Sequence, residues 1–417
     1  MLPTPQRARV SASLIFLIYG LLIGTYFPFL PFVKDRFGVG EGLFSLSLFA
    51  AAVGALISLP LAPLILQWIG SRKAIFYASL CYLVLVFFMV AAPNFPLFIG
   101  LFFTLGLTIS TWEVSANTQA SEIENQMGKP IISSIHGFWS LGTFLGSASM
   151  AGWLALELNG LYLIWILDFA AIFVVFYVFQ GLLRREQITA ESTDDRPPIK
   201  LRYLFYGPLL VVAAYQIIGF MLESSFQDWG AFLVRELVLG HGYEIVPESE
   251  WDSLPAEEAD ERRRAAVAGG LVLACFTGMM TLGRMLGDFV VARLGRAGTL
   301  QIGGLIAVIG IVLTTLPGLD LLTYLGFALV GLGTANVVPQ VIKTADSTPG
   351  LPPGVAIAII TAVGFVAFMG GPVTIGFSGE LFTFRLTFLV LAIFPAFLLT
   401  AGFVLRWFER ARSKQQD

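Results

Sequence analysis

Charge is scarce in this sequence. Only 13% of its 417 residues are Asp, Glu, Lys or Arg, about half the share of a typical soluble domain. That leaves too little polar surface to dissolve a globule of this length. Cysteine is rarer still. Cys81 and Cys275 both sit in apolar runs and read as small hydrophobes, which argues against a disulfide framework or a thiolate metal site. There are two histidines, and no Walker loop, zinc-ligand spacing or Ser-His-Asp pattern occurs. No cofactor, no metal and no enzymatic chemistry is therefore expected. No basic tract stands out, so nucleic acid is not an expected partner. No cleavable leader is expected: Met1 to Val10 is polar and carries Arg7 and Arg9, but the apolar run after it is too long for a signal h-region.

What the sequence has in abundance is apolar residues, at 56%, with a mean hydropathy of +0.80. A bilayer core of roughly 30 Å takes about 20 apolar residues as a helix. Runs of that kind fall at 10–33, 43–67, 74–93, 95–119, 131–155, 160–183, 203–235, 266–292, 298–317, 319–342, 353–378 and 382–407. The expected fold class is an all-α membrane protein of about twelve transmembrane helices. Short breaks with turn chemistry, such as Ala92-Pro93-Asn94, Asn159-Gly160 and Pro317-Gly318, separate them. Only 184–202 and 236–265 are long.

Placing both termini in the cytoplasm puts 18 of the 25 lysines and arginines on that side, as the positive-inside rule requires. The polar stretch 184–202 then reads as a cytoplasmic linker between an N-terminal half, 1–183, and a C-terminal half, 203–417. The second half carries an acidic extracytoplasmic insertion at 236–265. The halves look like a degenerate repeat of six spans each. Gly70, Gly106 and Gly146 meet Gly295, Gly331 and Gly371 at one common offset of 225 residues, whereas the first and seventh spans are offset by about 200. Paired six-helix halves with a site between them near the midplane are a recurrent transporter plan. Glycine-rich stretches such as Gly142–Gly146 and Gly370–Gly371 are expected to allow close helix approach.

Several strings carry a more specific resemblance. Ile69-Gly70-Ser71-Arg72-Lys73 follows the second span, and Arg293-Leu294-Gly295-Arg296 follows the eighth. Both resemble the glycine-plus-basic loop motif of the major facilitator superfamily. The acidic residue expected three before the glycine is replaced by Gln67 and Ala292, which predicts a gate rearranged around Arg284 and Asp288, with Arg72, Lys73, Arg293 and Arg296 as its other members. Glu113 to Ala120 (EVSANTQA), Ser133 to Gly142 (SSIHGFWSLG), Glu223 to Trp229 (ESSFQDW) and Gly331 to Pro339 (GLGTANVVP) are similar to strings of the branch that contains the bacterial inner-membrane carriers YbjJ and MosC. The resemblance implies a multi-pass inner-membrane carrier, with sugars or polyols as the substrate class.

Ionisable groups inside apolar spans are costly, at about 2.5–3.5 kcal/mol each on insertion scales, and so point to a cavity. Glu113 and Asn117 share a face of the fourth span, four residues apart. His136, with Trp139, lies in the fifth and can titrate near working pH. Gln216, Glu223 and Gln227 form a polar stripe on the seventh, flanked by Asp228 and Trp229. Asn336 and Gln340 straddle Pro339 in the tenth. Carboxylates and amides bind hydroxyls, and a ring covers the C–H face of a sugar. These eleven positions are the expected substrate contacts, and Glu113, His136, Glu223 and Asp228 the proton-coupling groups. Packing roles, such as helix-bridging hydrogen bonds, are the alternative for each. Asp168, in the sixth span, reads as structural. The functional reading is a monomeric secondary transporter in the lipid bilayer, moving a small polar solute by alternating access as a proton symporter, with sodium as the other coupling ion. The competing readings are an efflux carrier of a small amphipathic compound and a non-transporting membrane sensor of the same fold.

Overall fold

A computed structural model describes residues 3–128, 131–188, 206–318, 321–346 and 355–405. Residues 189–205, which hold most of the expected linker, and Arg406 and Arg410 lie outside them. Among the described residues the chain forms twelve helical spans, each bounded by the polar or Gly/Pro breaks seen in the sequence. They are α1 (Pro5–Phe37), α2 (Glu41–Ser58, resumed as Ala62–Ile69), α3 (Ser71–Met89), α4 (Phe95–Met127), α5 (Ile132–Ala155) and α6 (Gly160–Gly181). The second half supplies α7 (Gly207–Leu239), α8 (Ala256–Met285), α9 (Gly287–Thr314), α10 (Leu321–Ala345), α11 (Val355–Leu381) and α12 (Phe384–Leu405). Ten of these are long and apolar enough to cross a bilayer among the described residues. With α5 and α11 they complete the twelve.

Local chemistry sets the starts. Thr4 accepts from Arg7 N–H before α1, Asn94 from Leu97 N–H before α4, Asn159 from Leu161 N–H before α6, and Thr383 from Leu386 N–H before α12. Each fills one of the donors that a helix leaves orphaned at its first turn.

The two halves repeat one another in detail. Gly70 (φ 78°, ψ 152°) and Gly295 (φ 68°, ψ 172°) make the same left-handed reversal, a conformation that only glycine adopts without strain. The first reverses the chain between α2 and α3. The second lies inside α9, after the short segment from Gly287 that follows α8. A Cβ at Gly106 would overlap the carbonyl oxygen of Ala51, and a Cβ at Gly331 that of Phe276. Ala51 and Phe276 are themselves 225 residues apart. The third pair obeys the other offset: Gly146 lies on the Leu21 carbonyl of α1 and Gly371 faces Met221 of α7, and Leu21 and Met221 are 200 residues apart. Gly370 faces open space and supports no close approach.

The halves meet along α5 and α8, where Gly270 packs on Ala151 and Gly278 on the Phe144 ring, and along α2 and α11. They also touch where the end of α1 approaches α7. These last two contacts lie at the face that carries the loop between α7 and α8, called here the insertion face. At the opposite ends no helix pairing of similar extent joins the halves among the described residues.

The glycine contacts give a direct test. Gly106→Ala places a methyl group against backbone that cannot yield, and overpacking of this kind costs about 1–3 kcal/mol. Gly100 lies in the same helix with nothing near its Cβ position, so Gly100→Ala is expected to be neutral or to raise stability by about 0.4–1 kcal/mol. Melting temperatures of the purified variants should fall for the first and hold or rise for the second. Equal melting temperatures would contradict the close approach of α2 and α4.

Candidate functional site

Two hydrogen-bonded groups of polar side chains lie between the helices, with His136 in the second turn of α5, Arg284 in the last turn of α8 and Glu223 midway along α7. In the first, α4 meets α5: His136 Nε2 is 3.1 Å from Asn117 Oδ1, and the imidazole meets the Phe16 ring of α1 edge-on at 5.0 Å. In the second, α5, α7 and α8 converge. Arg284 donates from Nη2 to both carboxylate oxygens of Glu223 at 3.1 Å and from Nη1 to Ser140 Oγ at 2.8 Å. Gln227 Nε2 donates to Glu223 Oε1 at 3.3 Å. His136 and Ser140 are one turn apart on α5, so the two groups share that helix face. Glu113 lies one turn from Asn117 on α4. It is half-buried and accepts no hydrogen bond from a described residue. An aromatic wall backs this region: Trp112 stacks on Tyr19 at 3.9 Å and approaches Trp139 at 5.8 Å.

The polar stripe of α7 therefore divides. Glu223 and Gln227 reach the central group. Gln216 is buried, with its carbonyl oxygen unpartnered. Asp228 is buried and forms no ion pair among the described residues. Trp229 is fully buried, stacked on Phe384 of α12 at 5.5 Å and packed over Gly376 of α11. It acts as a packing residue between three helices and has no free face for a sugar. Asn336 donates to the Gly283 carbonyl at 2.9 Å, and its Oδ1 fills the space beside Gly287, so it plugs the break between α8 and α9 next to Arg284. Gln340 is buried. Asp168 is buried too, with Oδ1 unpartnered.

Arg284 and Asp288, the expected centre of the gate, do not pair with one another in this structure. Arg284 turns inward to Glu223, and Asp288 is exposed without an ion pair among the described residues. The physical reason is that Glu223 offers the guanidinium two acceptors in a partly desolvated place, where a charged hydrogen bond is stronger than at an exposed helix end. Arg72 stacks on Phe179 at 4.2 Å and donates to its carbonyl. Lys73 is exposed. Arg293 lies over Phe289 at 4.5 Å, and Arg296 donates to the Lys343 carbonyl at 3.3 Å. The turn at Gly70 is instead held by Arg185, which donates to the last carbonyls of α2 at Gln67 and Trp68. Gln119, in the same string as Asn117, is buried and ties Ser71 of α3 to Leu183 after α6.

A second charge cluster, which sequence reasoning missed, lies at the insertion face. Asp35 at the end of α1 pairs with Arg235 of α7. Lys34 lies 3.4 Å from Asp35 and donates to Glu41 at 2.7 Å. Glu236 accepts from the first amides of α12, at Phe384 and Arg385. The loop between α7 and α8 covers this cluster. Its Tyr243 ring lies under both Lys34 and Arg235, and its Trp251 packs on Phe32. The signal was present in the sequence: Lys34-Asp35-Arg36 and Arg235-Glu236 close two spans at the 200-residue offset.

Burial separates the two charge pairs. The side chains of Asp35 and Arg235 are 2% and 6% exposed, and those of Glu223 and Arg284 are 23% each. The pair at the insertion face is shut from solvent, while the pair in the centre is open to it.

The model of the Major Facilitator Superfamily matches residues 12–351. Among curated proteins the chain is 29% identical to the uncharacterized transporter y4wD of Sinorhizobium fredii, over 97% of this chain and 98% of that one. It is 24% identical to the membrane protein MosC of Rhizobium meliloti, over 90% and 84%. Its fold is similar to the crystal structure of the nucleoside transporter NupG, with a TM-score of 0.68 at 12% identity over 97% and 98%. It is also similar to a bacterial homologue of the human lysosomal transporter Spinster, solved inward-facing and occupied, with a TM-score of 0.63 at 12% identity over 95% and 96%.

The covering loop predicts a pH dependence. Glu248 is half-buried beside Arg235; burial pushes its carboxyl up to about 7, with the Arg235 charge pulling the other way. The packed loop thus keeps a proton that the released loop gives up in the ordinary carboxylate range. Packing is strongest below that range and weakens as pH rises through about 7. Relative to Glu248→Gln, the parent protein should lose melting temperature between about pH 5 and about pH 8. A difference that stays constant across that window would show that Glu248 is not the titrating group.

Proposed function

The chain belongs to the major facilitator superfamily, and on that premise we propose that it is a secondary carrier of a small polar solute, with Arg284 and Glu223 at the centre of its binding site. One observation carries this reading: the central charge pair is accessible while the pair at the insertion face is closed. That is the arrangement of a two-half carrier open on one side only. The bidentate pair costs little to rearrange, because water or a solute hydroxyl can replace either partner.

A sugar, polyol or derivative suits the chemistry best. The site offers one cation, one carboxylate and the neutral amides of Asn117 and Gln227, with Ser140 and His136 beside them. Such a set pairs donors and acceptors with several hydroxyls at once. The half-buried Trp139 provides the apolar side, backed by the buried Trp112. Glu113, His136, Glu223 and Asp228 are the titratable groups for proton coupling. Glu113 and Asp228 lack an ion-pair partner among the described residues, so each can take up a proton without first breaking a pair. The two halves, joined by the 184–202 linker, would rock as bodies about the α5–α8 contact. We read the free ends of the first and last helices as cytoplasmic, from the charge bias; the accessible side is then the cytoplasmic one, in a monomer of the inner membrane.

The test is a thermal-shift screen of the purified protein against sugars, polyols and amino sugars, followed by flux of any hit in proteoliposomes. Glu223→Gln should weaken binding of the hit by roughly 10- to 100-fold, the equivalent of about 1.5–3 kcal/mol for a charged hydrogen bond. A proton ionophore should abolish accumulation. Unchanged affinity in Glu223→Gln would move the site elsewhere, and accumulation that survives the ionophore would remove protons as the coupling ion.

A further inference from the structure

Two polar contacts cross between the halves at the insertion face, and each sets a charged group of one half onto the other. The first is Arg235 of α7 on Asp35 of α1, with Lys34 on the other side of the carboxylate. The second joins α11 to α2. Glu380 accepts a hydrogen bond from the Gly42 N–H at 2.6 Å. Gly40 occupies the N-cap of α2 and makes no side-chain cap. A Cβ at Gly40 or Gly42 would run into the Glu380 carboxylate, so these two glycines make the pocket that admits it. The start of α2 is therefore capped by a residue of the opposite half, 338 positions away. By contrast, α12 is capped from within its own half, by Glu236.

We propose that Asp35–Arg235 and Glu380–Gly42 are the two latches of the gate on the insertion face, and that the loop carrying Tyr243 and Trp251 is the strap over the first of them. Both latches suit a reversible gate. When the halves part at the membrane surface, each carboxylate, the guanidinium and the first amides of α2 exchange their partner for water. Tyr243 meets Lys34 from one half and Arg235 from the other, so the strap must lift as they separate. The α5–α8 contact, which packs small residues such as Gly270 and Ala151, holds the halves together meanwhile.

This assignment rests on the alternating-access reading above, and its test reads conformation without any solute. Spin labels go on Leu158→Cys and Glu257→Cys, exposed positions of the two halves at this face, in the full chain with Cys81→Ser and Cys275→Ser, reconstituted in lipid nanodiscs. Distances are measured by double electron–electron resonance. The parent should show one short, closed distance. Glu380→Gln and Gly42→Ala disturb the second latch from its two sides, and each should add a longer-distance population. Asp35→Asn should do the same, and combining it with Glu380→Gln should make the longer population dominant. Glu250→Gln, an exposed carboxylate of the loop, should leave the parent distribution unchanged. If Asp35→Asn fails to fold, the two changes at the second latch decide alone. Parent-like distances in both folded variants, or the same lengthening in Glu250→Gln, would overturn the gate. If the distances lengthen as expected but no solute is carried, the gate stands and the carrier reading falls.

Discussion

Close approach of helix backbones is the constraint on which this structure depends. Lipid gives helices no hydrophobic reason to associate, so packing contact and polar bonds must hold them. The contact is made by glycines set against carbonyl groups: Gly20 on Trp139, Gly24 on Thr143, Gly142 on Leu17 and Gly146 on Leu21 join α1 to α5. Gly54 on Phe103 and Gly106 on Ala51 join α2 to α4, and Gly331 on Phe276 joins α10 to α8. No other residue lets two backbones come that near. With so much of α5 committed to α1, Ser140 is left toward α8, where it meets Arg284. The polar centre is thus a consequence of the apolar packing around it.

Two levels of charge then sit within one apolar body, and their surroundings differ. At the insertion face, Asp35 lies between Lys34 and Arg235 and is nearly excluded from solvent. Breaking such a pair on one side leaves an uncompensated charge and costs several kcal/mol. In the centre, Arg284 and Glu223 keep contact with solvent, so their pair is weaker and its partners exchangeable. A pair that must yield to a solute belongs where water already reaches it, and a pair that holds a seam closed belongs where water does not.

Much of this was legible in the sequence, for definable reasons. Helical periodicity and hydropathy are local properties, so the spans, the shared face of Glu113 and Asn117, and the stripe from Glu223 to Gln227 could be read directly. The glycine offset was legible because repetition preserves spacing, and it extends to the partners: Ala51 and Phe276 stand at the same offset as Gly106 and Gly331. Partner choice was not legible. Arg284 and Asp288 stand together beside the loop motif, yet the guanidinium bonds Glu223, 61 residues away. Trp229 beside Asp228 suggested a sugar platform, but rotation about α7 turns the ring into the packing of α11 and α12. Asp35, Arg235 and Glu380 each sit at the end of a span, where a charge reads as an ordinary interfacial anchor. Only the tertiary structure shows that they find one another or a helix terminus across the seam.

The helix α7 connects the two levels. It runs from Gly207 to Leu239 without a break, and it carries both Glu223 of the central pair and Arg235 of the peripheral one. Twelve residues of helix separate these side chains by about 18 Å along one rigid axis. Its neighbours are less continuous: α8 breaks after Arg284, and α10 breaks at Asn336, whose amide holds the Gly283 carbonyl. On the proposed carrier reading, a solute that draws Glu223 away from Arg284 would act on a rod whose far end bears the Asp35 contact, while the broken helices beside it can bend. Coupling through such a rod needs no chain of side-chain rearrangements. It needs only that α7 have two positions, one seated on Asp35 and one not, and that occupancy at Glu223 favour one of them.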